Sequence, residues 1–388
     1  MHFIDVINRI FLKISKMIPK KKNRWIFGAW YGRKMSDNPM RVLEYVIENE
    51  PQIEAIWISR NPTSYKNAKI VKRNSLKSIY YILTAEVAFM NQGFIDFSPV
   101  NLLGGCYKVQ LWHGVAWKKI VRDSMGEIVS EKDKKDRRVF DIINKYDLYI
   151  SPSDLCCEVV KTAFNTDDNH ILKIGQPRNE ILFNDNARNI NRTDFFESHR
   201  IEECKIVLYM PTFRDKTEEV FSFGQNTISD RIIELEKKYN FVVIEKSHFW
   251  SLKRKDNIID SGLINGVYYE NDKTAEYLLS IADILITDYS SCFFDFLITD
   301  RPIIHYLYDY DYYSNQDRGL YYPKEYVACG DTPSNLRELF FSIEDNLNNP
   351  YKNSEIRKKM RHKFIQYETD NNSEIIVNYV LSKRELYG

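Results

Sequence analysis

The chain has 388 residues, 44% of them hydrophobic and 14% aromatic, which is enough apolar material for two packed domains and excludes global disorder. A formal net charge of +1 excludes nucleic-acid binding through a bulk positive field. The six cysteines (Cys106, Cys156, Cys157, Cys204, Cys292, Cys329) form no CxxC pair, which argues against a disulfide framework or a zinc site and for a reducing compartment.

Residues 1–24 place Phe3, Ile7, Ile10, Phe11, Ile14 and Ile18 at helical spacing among Arg9, Lys13, Lys16, Lys20, Lys21, Lys22 and Arg24. There is no signal-peptide h-region, and no apolar run long enough for a transmembrane helix. The pattern predicts a basic amphipathic helix, either lying on an anionic membrane or packed on the protein with its lysines solvated.

From residue 25 the pattern alternates. "RWIFGAW", "EAIWIS", "AKIVKR", "EVAFMN", "YKVQLWHG" and "DLYISPS" read as strands. "NPMRVLEYVIEN" and "SLKSIYYILTA" read as helices, and Ser153-Asp154 caps a further one through "LCCEVVKTAF". A polar stretch at 184–204 reads as an inter-domain crossing. A second series follows: "KIVLYMPTF", "NFVVIEKSH", "GVYYE", "DILITD" and "RPIIHYLY" as strands, with helices between them. The tail "SEIIVNYVLSKRELYG" reads as a last helix returning to the first domain. Alternating strands and helices imply parallel, doubly wound sheets. The divisions expected are 1–24, 25–185, 186–370 and 371–388: an amphipathic segment, two Rossmann-like domains facing a cleft, and a terminal helix.

Ligands of such sheets bind outside the carboxyl ends of the strands, so chemistry is expected at those ends. His113 precedes Gly114 at one of them, where an imidazole could titrate against a hydroxyl or simply bond a loop carbonyl. Lys246 and His248 alternate at a second, suited to phosphate or to solvent. Pro211 ends a third, followed by Thr212, Arg214 and Asp215, with arginine able to fork onto phosphate oxygens. The fourth runs through Asp288 and Tyr289 into Ser290 and Ser291 at a helix start. One serine suffices as a cap; two suggest a phosphate seat. Neither GxGxxG after the first strand, GxxxxGK[ST] nor GxSxG occurs. Asp309 and Asp311 lie in a tyrosine-rich loop that reads as substrate-contacting or packing, so no metal or other cofactor is expected.

In chain order, "SDNP" (36–39), "LWHG" (111–114), "MPTFR" (210–214), "KSH" (246–248), "TDYSS" (287–291) with "FD" (294–295), "RPIIHY" (301–306) and "YDYDYY" (308–313) resemble the CDP-glycerol glycerophosphotransferase family of teichoic acid and capsule synthesis. The resemblance runs from about residue 25 to about residue 370. It implies a GT-B-like α/β fold and peripheral attachment to the cytoplasmic face of the membrane. It also implies transfer of glycerol phosphate from CDP-glycerol to a hydroxyl of a lipid-linked acceptor, with release of CMP. His113 would be the general base, and His248 would contact the pyrophosphate with Arg214 nearby. Ser290 and Ser291 would hold phosphate and Asp295 the ribose, while Gly114, Thr212, Lys246 and Asp288 would complete the substrate-binding set. The chain lacks the long N-terminal region of large polymerising relatives, which favours a primase-like or capsule-type transferase. The alternatives are a CDP-ribitol donor, a GT-B nucleotide-sugar transferase or epimerase, and a non-catalytic membrane scaffold.

Overall fold

The computed structural model describes residues 2–125, 130–212, 221–224, 226–246, 261–316 and 319–385. The chain divides into two compact units. The first comprises Met1–His113, Ile120–Glu180 and the chain from Gln366 onward; the second comprises Gly114–Lys119 and Ile181–Ile365.

The first unit is built on seven parallel strands: β1 (Arg24–Phe27), β2 (Glu54–Ser59), β3 (Lys69–Lys72), β4 (Val87–Met90), β5 (Tyr107–Gln110), β6 (Leu148–Ser151) and β7 (Ile171–Lys173). Their order is β3-β2-β1-β4-β5-β6-β7, so the direction of winding reverses between β1 and β4. Successive side chains of a strand point to opposite faces, and both faces here are apolar. Ile26, Ile56, Ala88 and Met90 belong to one core; Trp25, Phe27, Trp57, Val87 and Phe89 belong to the other. In register, Phe27 lies opposite Phe89 and their rings stack at 5.1 Å. The C-terminal helix (Asn372–Glu385) adds Ile376, Val377 and Val380 to the second core, which is why the tail returns to this unit.

The second unit has β8 (Lys205–Met210), β9 (Phe241–Glu245), β10 (Ser261–Ile264), β11 (Val267–Glu270), β12 (Ile284–Thr287) and β13 (Ile303–His305). The order is β10-β11-β9-β8-β12-β13, parallel except for the β10–β11 pair, and winding reverses between β8 and β12.

Local chemistry explains most boundaries. The Ser153 hydroxyl accepts the Cys156 N–H and caps the helix Asp154–Phe164, as its sequence predicts. Ser75 and Ser78 form a reciprocal capping box on the helix Leu76–Thr84. The polar stretch expected as a crossing is instead largely a helix, Asp185–His199, started by an Asn184 cap on the Ala187 N–H. Its buried stripe is only Arg192, Phe195 and Phe196, too narrow to show against a polar composition. The antiparallel β10 and the helix Glu131–Ile143 were likewise not read from the sequence. All six cysteines are free thiols.

The N-terminal helix (His2–Lys16) docks through its polar side. Buried Asn8 accepts the Asn101 N–H at 2.8 Å, and buried Ser15 accepts the Gly104 N–H at 2.9 Å. Val6, Ile10, Ile14 and Met17 stay outside, at 53%, 50%, 51% and 84% exposure. Lys20 is half-buried and donates to the carbonyls of Ser15 and Leu83, and Lys21 pairs with Glu54, so part of the basic run is spent on the protein itself. Gly104 permits this docking, because a Cβ there would meet the Leu12 carbonyl and the Ser15 hydroxyl well inside contact distance. Gly104→Ala is expected to lower the unfolding free energy by about 1–3 kcal/mol, the cost of overpacking, and to expose residues 2–16 to protease. Unchanged urea unfolding together with unchanged cleavage would refute this account of the docking.

Candidate active site

In the first unit the candidate residues gather where β1, β4 and β5 end, beside the reversal of winding. In open α/β sheets this is where ligands bind. The chain leaves β1 through Trp30 and Tyr31, both with positive φ (50° and 61°). It leaves β5 through Trp112, also at positive φ (52°), then His113 and Gly114 (124°). Non-glycine residues in that region cost about 1–3 kcal/mol each, so something must hold them.

Buried polar side chains do so. Asp96 accepts the N–H groups of Tyr31 (2.7 Å), Asn91 (3.1 Å) and Gln92 (2.8 Å), joining the loops after β1 and β4. Asn91 Oδ1 accepts the Trp30 N–H. Asn38 donates from Nδ2 to the carbonyls of Leu111 and Trp112, the two residues before His113, and to Gln176 Oε1. Asp37 accepts from Arg178 at 3.1 Å in a fully buried ion pair, and from Asn91. Glu368, from the returning tail, accepts from the Gln176 N–H, Asn179 and Asn372 and completes the support.

Beside this network the His113 imidazole stacks on two indoles, Trp112 at 4.2 Å and Trp30 at 5.3 Å, and is half-buried. These two ring contacts restrict the orientation of the imidazole. An imidazole held this way can accept a proton from a hydroxyl without first paying to be ordered.

In the second unit the equivalent place is the β8–β12 reversal. Asp288, 1% exposed, accepts the Thr212 N–H (2.8 and 3.1 Å) and the Tyr289 N–H (2.6 Å). The Thr287 hydroxyl donates to the Met210 carbonyl at 2.7 Å. Tyr289 is buried, stacks on Tyr313 at 3.7 Å and donates to Asp309 at 3.0 Å, so this part of the tyrosine-rich loop serves as packing. Trp117 lies against Tyr289 and Phe293 and donates to the Tyr322 carbonyl. His305 sits edge-on to Phe293 and accepts the Cys329 N–H; burial pushes its pKa down to about 4, so it is neutral. Across residues 284–298 every residue is buried except Ser290 and Ser291, which are half-buried. The helix that follows is short (Cys292–Phe296), and Ser290 Oγ lies 3.5 Å from the Cys292 N–H.

The placement of the predicted residues is therefore uneven. His113 ends a stretch of the first unit, and Gly114 opens one of the second. Thr212, Asp288, Ser290 and Ser291 come together at one strand-end corner. Asp288 acts there as a tie between strand ends, through backbone N–H groups. Asp295 is buried within the short helix. Lys246 donates to the carbonyls of Glu270, Asn271 and Lys273, which fixes the strand end rather than leaving the ammonium in solvent. Arg214 and His248 lie outside the described residues. Sequence reasoning missed Trp30, Asp37, Asn38, Asp96, Gln176 and Glu368 as the support of His113. Only "SDNP" carried a signal for any of them. Among the described residues no group of three or more His, Cys, Asp or Glu could hold a metal ion.

The α/β fold, with its largely parallel sheets, is that of a GT-B-like protein. The chain belongs to the CDP-glycerol:poly(glycerophosphate) glycerophosphotransferase family, whose sequence model matches residues 10–382. It is thus an enzyme of the teichoic acid glycerophosphotransferase class. A teichoic acid poly(glycerol phosphate) polymerase of Bacillus spizizenii is 29% identical over 97% of this chain and 96% of its own length. A polymerase of the same description from Bacillus subtilis is 28% identical over 96% of this chain but only 50% of its own length. The solved wall teichoic acid polymerase TagF superposes with a TM-score of 0.81 at 25% identity, covering 100% of this chain and 95% of that one.

Burial pushes the Asp96 carboxyl up to about 6, against an ordinary 3.8, despite its three N–H donors. A raised folded-state value contributes stability that is full below about pH 4 and lost as pH rises through 6. Relative to Asp96→Asn, the wild type should therefore gain up to about 3 kcal/mol between pH 7 and pH 4. Parallel pH dependences of denaturant unfolding would refute it.

Proposed function

We propose that this chain transfers glycerol phosphate from CDP-glycerol to a hydroxyl of a lipid-linked glycan or teichoic-acid acceptor at the cytoplasmic face of the membrane. The acceptor oxygen attacks the glycerol-bearing phosphorus, the bond to CMP breaks, and the acceptor proton passes to His113. The observation that carries the reading is the His113 ring, held by stacking on Trp30 and Trp112 at a strand end. The chain passes from one unit to the other at the His113–Gly114 peptide bond.

In this reading Ser290 and Ser291 donate to the pyrophosphate, the two half-open positions in an otherwise buried stretch. His248 and Arg214 offset the charge that grows on departing CMP. Glycerol is preferred to ribitol as the donor polyol because teichoic acid relatives described as glycerol phosphate enzymes are 28–30% identical, against 22% for those described as ribitol phosphate enzymes. Likeness to a putative UDP-N-acetylglucosamine 2-epimerase from Listeria monocytogenes, at 12% identity, concerns the fold alone.

The membrane part of the proposal rests on the inverted docking of the first helix. Its apolar side faces outward, Lys13 and Lys16 occupy its last turn, and no helix among the described residues is long and apolar enough to cross a membrane. An outward apolar stripe beside free lysines suits an anionic lipid surface.

Two outcomes are expected. His113→Ala should lower CMP release from CDP-glycerol in the presence of acceptor by about 10²–10⁴-fold, whereas Ser290→Ala with Ser291→Ala should lower kcat/KM for the donor by about 10–100-fold while unfolding free energy falls by about 1 kcal/mol or less. CMP release at the wild-type rate in either variant removes that residue from the mechanism. Ile10→Glu with Ile14→Glu should abolish sedimentation with anionic liposomes and leave thermal unfolding unchanged, since both side chains are exposed. Undiminished sedimentation would place membrane attachment elsewhere.

A further inference from the structure

The second unit carries a cavity of about 360 Å³ at the edge of its sheet opposite Ser290 and Ser291. Arg301, immediately before β13, and Ser280, just before β12, line it, so it lies at the amino ends of these strands. Its apolar wall includes Ile181 and Phe183.

The chemistry of its walls is cationic. Arg301 donates to the carbonyls of Leu279, Ser280 and Ala282, which end the helix Ala275–Ile281. Those carbonyls amount to about half a unit of negative charge, and among the described residues no carboxylate lies within 4 Å of this guanidinium. Arg361 does not line the cavity itself but contacts two residues that do: it stands over the Phe183 ring at 5.7 Å and donates to the Ile298 carbonyl. It too has no carboxylate partner among the described residues. Arg188 lines the cavity and pairs with Asp283 at 2.8 Å, but Asp283 is shared with Arg192 at 3.0 Å, and the buried Nε of Arg188 has no hydrogen-bond partner. The lining holds one carboxylate, Asp185, which is exposed to water. Burial, and after it the neighbouring Arg188, push Arg301 down to about 9 although Asp283 and Asp185 act in the opposite direction.

We propose that this cavity binds a phosphate ester, its phosphate between Arg188, Arg301 and Arg361 and its small organic part against Ile181 and Phe183. Guanidinium forks match phosphate oxygens, and the volume admits a group of glycerol phosphate size. The site is separate from the proposed donor corner, and nothing in the transfer reaction requires it.

Calorimetric titration of the full chain with glycerol 3-phosphate at low salt should show saturable binding. Arg188→Gln with Arg361→Gln should weaken it at least tenfold, while Lys358→Gln with Lys359→Gln, which removes two exposed charges nearby, should leave it unchanged. CDP-glycerol turnover of the arginine variant should stay at the wild-type level. If that turnover falls, Arg361→Gln alone, which removes a hydrogen bond to the Ile298 carbonyl, decides the matter by the same tenfold test. A parallel arm uses phosphatidylglycerol vesicles: arginine-dependent retention there without binding of the soluble ester assigns a lipid headgroup as the source of the phosphate. Equal binding by wild type and the arginine variants, no binding of either probe, or binding lost only in Ser290→Ala with Ser291→Ala overturns the proposal.

Discussion

Each unit depends on a buried carboxylate that gathers backbone N–H groups where its sheet reverses direction. At that point two strands end side by side and their chains diverge, so neither loop can satisfy the other through ordinary ladder bonds. Asp96 does this in the first unit, taking N–H groups from the loops after β1 and β4. Asp288 does it in the second, taking N–H groups from the ends of β8 and β12. A carboxylate has enough lone pairs for several donors, which an amide or hydroxyl lacks. Burying it is costly, as the raised Asp96 pKa shows, and that cost offsets part of the stability the strand-end bonds contribute.

With the strand ends tied, strained backbone becomes affordable. Trp30, Tyr31, Asp37 and Trp112 all hold positive φ around His113. Asn38 receives nothing from solvent; its amide is used on the carbonyls of Leu111 and Trp112, directly before the histidine. The chain therefore aims His113 through a stack of dependent contacts: tail Glu368 on Gln176, Gln176 on Asn38, Asn38 on the Trp112 backbone, Trp112 on the imidazole. Such a stack has little slack, which fits the role of proton acceptor proposed for His113.

The surface follows a different rule. The first helix turns Asn8 and Ser15 inward, where each meets a backbone N–H that would otherwise be buried without an acceptor. Its isoleucines are left outside as a consequence. In the second unit Arg188, Arg192 and Arg301 are held by carbonyls, by the shared Asp283 and, for Arg192, by Glu203, so positive charge is fixed in place.

Much was legible from the residues alone. Short apolar strands alternating with capped helices are a local signal, and Ser153 caps its helix by a bond three residues away. His113-Gly114 and Ser290-Ser291 stood out because they break apolar runs where a strand must stop. The motifs in order pointed to the family whose sequence model matches residues 10–382. What the residues could not reveal was anything set by long-range partners. The polar run 184–204 hides a helix because only three of its residues face a core. Asp96, Asn38, Gln176 and Glu368 look like ordinary polar residues, because their roles arise only when loops from four distant stretches meet. The direction of the first helix was open for the same reason: its periodicity defines two faces, and only the partners Asn101 and Gly104 decide which one turns inward.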